Sequence, residues 1–70
     1  MEPYQIRVVQ EKQELDQKLE KLVTYLDSAH FASLPTEEKW LMREQAQVMA
    51  AYSRILGSRI QRFNQPKAPA

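Results

Sequence analysis

Gln45, Tyr52 and Arg59 recur at intervals of seven in a chain of 70 residues. An amide, a phenol and a guanidinium on one face of a helix can serve two ends. They can pair with Lys18, Glu11 and each other, fixing register and oligomeric state at some cost in stability. They can instead line a polar site between protomers, where Tyr52 offers a flat face to a base and Arg59 a fork to a phosphate. Charge adds to the second reading. Residues 1–30 carry six acids and four bases, whereas from Gln45 onward there are four bases (Arg54, Arg59, Arg62, Lys67) and no acid. If the chain folds back on itself, this basic end meets Tyr4, Gln5 and Arg7. Cation, ring and amide together are what a nucleotide needs. A solvated helix end complementing its own dipole is the ordinary alternative, and it covers one or two of these arginines more easily than all of them. The candidate ligand-binding residues are therefore Tyr4, Arg7, Tyr52 and Arg59.

Other chemistries find little support. The chain has no cysteine and a single histidine, His30, so neither disulfides nor the usual Cys/His zinc site is available. There is no Ser/His/Asp arrangement, no glycine-rich phosphate loop and no paired-carboxylate cleft, and a non-catalytic protein without metal or cofactor is expected. The net charge of +1 is too balanced for a bulk grip on nucleic acid. No apolar run approaches the ~18 residues of a membrane span, and MEPYQIRVVQ lacks the apolar stretch of a signal peptide. A soluble, cytoplasmic protein is expected.

The elements that must position these residues are helices. Glu, Lys, Gln, Leu, Ala and Arg dominate the chain, with one glycine and four prolines to break it. The spacing predicts an all-α protein, an antiparallel two-helix hairpin with helix 1 over about 3–28 and helix 2 over about 37–63. Val8, Leu15 and Leu22, with Leu19 and Leu26, form the seam of the first helix, which Lys12 interrupts. In the second, Met42, Met49, Leu56 and Phe63 form a matching seam, and Leu41, Val48 and Ile55 lie one step around. That arc is wider than one helix can cover. Ala46, Ala50, Ser53 and Gly57 make a ridge of small residues on which a second hairpin is expected to pack. The connector 28–35 should fold Phe31 and Leu34 over the open end, with Thr36 as N-cap. The register places Glu11 near Tyr52, Lys18 near Gln45, and Tyr4 or Arg7 near Arg59 or Ile60. Residues 1–63 make one domain, followed by a disordered tail at 64–70. A core this small rarely holds itself together, so assembly into a helical homo-oligomer is expected.

The ordered set Arg7, Val8, Val9, Glu11, Leu15, Lys18, Leu22, Phe31, Leu34, Leu41, Gln45, Met49, Tyr52, Leu56, Arg59 and Ile60 resembles small phage-encoded helical-hairpin proteins related to a crAss-like phage protein. In size and shape the chain is also similar to phage anti-CBASS and anti-Thoeris sponges. These oligomerise and hold nucleotide second messengers of bacterial immunity between protomers. That second resemblance carries over no motif residue by residue.

Together these readings point to a phage protein that oligomerises with itself and sequesters a nucleotide second messenger, a cyclic oligonucleotide or an ADP-ribose derivative, without cleaving it. The alternative is a non-catalytic helical module that binds a host or phage protein, with the polar row only setting register.

Overall fold

The computed structural model describes residues 1–63, and the expected disordered tail lies outside them. Among the described residues the secondary structure is helical throughout: α1 (Pro3–Leu26), α2 (Ala29–Ala32) and α3 (Thr36–Phe63).

Each helix starts where its residues dictate. Proline occupies the first turn of α1, where its missing N–H is no loss. The Gln5 side chain reaches back to accept from the Glu2 N–H at 2.8 Å. Helix α1 ends at Leu26, two residues short of the expected limit, because Ser28 starts a new turn. The Ser28 hydroxyl accepts from the Phe31 N–H at 3.0 Å and donates to the Tyr25 carbonyl at 2.6 Å. The connector 28–35 therefore contains the single-turn helix α2. Thr36 is the first residue of α3 rather than its cap, and the Pro35 carbonyl accepts from the Lys39 N–H at 3.1 Å. Glu37 and Glu38 occupy the first turn and Arg62 the last, each matched to the helix dipole.

Helix α3 runs back along α1. The Tyr4 ring meets the Phe63 ring edge-on, with centroids 5.6 Å apart, and the Tyr52 hydroxyl donates to Glu11. Both contacts lie within about a turn of the expected register. At the other end Phe31 is only 2% exposed, flanked by Tyr25 and covered by the Arg43 guanidinium 5.3 Å from its centroid. Phe31 closes the open end as its position suggested, whereas Leu34 is half-buried.

The core between the helices is thin. Val8, Phe31 and Leu56 are its buried apolar residues. Leu15, Leu19, Leu22, Leu26, Met42, Met49 and Phe63 are half-buried. Leu41, Val48 and Ile55 lie outside it, at 53%, 66% and 58% exposure. The wide apolar arc read from spacing is thus half used.

One expectation about packing is overturned. The small-residue ridge of α3 does not wait for a second hairpin along its whole length. Ser53 is buried and Gly57 lies under Lys12 of the same chain: a Cβ at Gly57 would stand 3.2 Å from Lys12 Cε. The glycine makes room for a lysine that must cross the seam.

A basic cleft and a polar clasp on one helix pair

Lys12 crosses the seam to reach a clasp. Its ammonium donates to Asp16 Oδ2 at 2.7 Å, one turn along α1, and to Ser53 Oγ on α3 at 3.1 Å. The Ser53 hydroxyl in turn donates to the other oxygen of Asp16. The ammonium and the hydroxyl hold the Asp16 carboxyl below its ordinary value of 3.8, the Lys12 hydrogen bond first and that of Ser53 second. With side-chain exposures of 29% and 45%, the ion pair is half in water. It orders the helix contact more than it strengthens it. The sequence held a signal for it: a lysine on an apolar seam needs a polar partner on the facing helix, and the small ridge contains one hydroxyl.

The basic end lies about three turns from the clasp along α1. Here Tyr4, Gln5, Arg59, Arg62 and Phe63 line an open cleft of about 400 Å³. A second groove, about 540 Å³, runs along α3 between Ala51, Arg54, Ile55, Ser58, Arg59 and Arg62. Arg59 and Arg62 stand between the two and face both. A third groove on α1, lined by Gln17, Glu20, Lys21 and Thr24, brings together no aromatic ring and lies on one helix alone.

Of the four residues singled out by sequence, Tyr4 and Arg59 share the first cleft. Arg7 is exposed one turn further along α1 and does not line it. Tyr52 is 41% exposed, two turns before Arg59 on α3, with its hydroxyl committed to Glu11. Spacing alone does not single out Arg62 and Phe63, which also line the cleft. Phe63 is half-buried at the end of the expected seam, and there its ring also stands edge-on to Tyr4 and lines the cleft. The expected Lys18–Gln45 pairing gives way to a weak contact within α3, from the Gln45 amide to Met49 Sδ at 3.9 Å. His30 is tied locally, its Nδ1 2.6 Å from the Tyr25 hydroxyl.

Tyr4, 49% exposed and in edge contact with Phe63, shares the cleft with two arginines. Such a surface can stack one flat group and hold anionic oxygens next to it. Among the described residues no group of His, Cys, Asp or Glu could hold a metal ion. No helix among them is long and apolar enough to cross a membrane.

The Sequestin family model matches residues 2–62, which takes in both long helices, the clasp and all but the last wall of the cleft. The chain belongs to the Sequestin family. No curated protein and no solved structure matches it. The family's name speaks of sequestering, a binding role, and both the cleft and the clasp fall within the matched span.

Proposed function

We propose that this Sequestin-family chain is a phage anti-defence protein that works in the bacterial host cytoplasm. As a homo-oligomer of antiparallel hairpins it sequesters a nucleotide second messenger, a cyclic oligonucleotide or an ADP-ribose derivative, without cleaving it. The observation that carries the reading is the juxtaposition of the exposed Tyr4 with Arg59 and Arg62 in one cleft. A base stacks on Tyr4 while the guanidinium groups take the phosphates. Arg7 adds a cation on the same side of α1, and Tyr52 stands at the boundary between protomers. Sequestration asks for tight binding and no turnover, so the site needs no nucleophile or general base.

A thermal-shift panel of cyclic di- and trinucleotides and ADP-ribose-type messengers tests this directly. A ligand that binds only the folded protein raises the melting temperature by mass action. A clear shift is expected for at least one of them, with the nucleotide recovered intact after denaturation. Y4A and R59M should each weaken that binding by about tenfold or more, in line with the ~1–3 kcal/mol of a stacking or charge-assisted contact. Their far-ultraviolet circular dichroism should match the parent. Flat curves across the panel, or a degraded nucleotide, would sink the reading.

One observation favours a second reading, a helical module that grips a host or phage protein. Trp40 is 57% exposed on the outer side of α3, away from the cleft. Under that reading W40A abolishes capture of a partner and leaves nucleotide shifts untouched.

A further inference from the structure

The outer face of α3 has a spacing of its own. Leu41, Gln45, Val48, Tyr52, Ile55 and Arg59 follow one another at alternating intervals of four and three, the pattern of a helix that packs against another helix. Its apolar members are exposed: Leu41 53%, Val48 66%, Ile55 58% and Tyr52 41%. Against them the intrachain core holds three buried apolar residues, and the molecule measures 21 × 15 Å across its long axis. Helices are about 10–12 Å thick with their side chains, so the protomer is a single layer two helices wide, with nothing over this stripe.

The charges on α3 indicate what covers it. Glu37 and Glu38 stand at its start, Arg59 and Arg62 at its end. Two copies of the helix laid parallel would set acid beside acid and arginine beside arginine. Laid antiparallel about Val48, they set Leu41 opposite Ile55 and Glu37 opposite Arg59. The same arrangement opposes the helix dipoles favourably. A foreign helix would need a complementary stripe and charges of its own, whereas a second copy carries both.

We propose that this stripe is the seam of a two-fold dimer in which α3 of one protomer packs antiparallel on α3 of its partner, with the axis near Val48. The proposal deepens the homo-oligomer named above and rests on that part of the reading, not on the identity of the ligand. It has a consequence for the cleft. Arg59 of one chain lies beside the first turn of α3 of the second copy, where its guanidinium is shared between a carboxylate of that turn and the cleft. Arg62, opposite no acid in this register, stays free for the anion of a ligand. The two clefts sit at opposite ends of the dimer. Residues 37 and 59 are 22 apart, or about 33 Å of helix, too far for one small nucleotide to bridge. Each chain therefore holds its own ligand.

The absence of cysteine in the sequence makes the test clean. Single-cysteine chains V48C, L41C and I55C are prepared and treated with a short bis-maleimide linker. V48C alone should cross-link to a dimer, L41C alone and I55C alone should not, and an equal mixture of L41C with I55C should. Efficient cross-linking of L41C with itself would overturn the antiparallel arrangement. Failure of V48C and of the mixture, with a monomer mass by light scattering of the parent, would overturn the seam altogether. V48D should halve the mass of the parent assembly, and an unchanged mass would also count against the seam. The ligand question is answered separately. Positive cross-links with flat thermal shifts leave the dimer standing and remove the nucleotide, and the reverse pattern does the opposite.

Discussion

Gly57 gives α3 roughly 1 kcal/mol less helical stability than alanine would, and Lys12 supplies the reason it is there. The lysine side chain crosses the apolar seam, and its Cε occupies the space a Cβ at position 57 would crowd. At the far end of that path the ammonium meets Asp16 and Ser53. These contacts make Asp16 an acid-sensitive point. A carboxyl whose folded value is depressed stabilises the fold above its unfolded value, and loses that contribution as pH falls through the folded one. The window therefore lies below about pH 4, since Asp16 is held under its ordinary 3.8. Between pH 6 and pH 3 the melting temperature of D16N should fall less than that of the parent, by a few degrees at most because the pair is half-solvated. Parallel melting curves for the two proteins would show that the clasp does not contribute to acid sensitivity.

At the scale of the elements, α3 carries two apolar rows with different fates. Leu56 is fully buried against α1, while Val48, eight residues earlier, is 66% exposed. L56A should cost about 2–5 kcal/mol. In a chain with so few buried side chains that is enough to abolish most of the helical signal at 222 nm at 25 °C. A helicity close to that of the parent would mean the helix pair does not depend on this core. Much of this layout was legible in the sequence. Heptad spacing separates the two long helices and ranks the inner row correctly, and the Glu11–Tyr52 contact follows from simple register. Two features were not legible, for physical reasons. A four-residue helix such as α2 leaves no periodicity to read, because a single turn is shorter than the pattern it would show. The small ridge reads as a docking surface because spacing records residue size and not which neighbour fills the space. For the cleft, position alone brought Tyr4 and Arg59 together. It could not assign Phe63, whose apolar ring reads as core whether it faces a helix or backs a tyrosine.

The whole molecule is a rod of 56 × 21 × 15 Å, in which a single layer of helices leaves one face of α3 open. A protein stabilised through such a face has a stability that depends on its own concentration. The melting temperature should rise by several degrees between about 2 and 200 μM protein, and high salt should reduce that rise by screening Glu37 from Arg59. Invariance with concentration would indicate that each rod stands alone. The clasp carries a further consequence, which concerns ambiguity. Met42, Met49, Leu56 and Phe63 are alike enough that α3 could slide by seven residues along α1 and still present an apolar side chain at most seam positions. Even Glu11 would tolerate the slide, finding Arg59 where Tyr52 had been. Ser53 would not. Its counterparts one heptad away are Ala46 and Ile60, and neither offers Lys12 an oxygen. A repetitive sequence that spells nearly the same message in several frames is thus punctuated at one place, and a single hydroxyl tells the chain which frame to read.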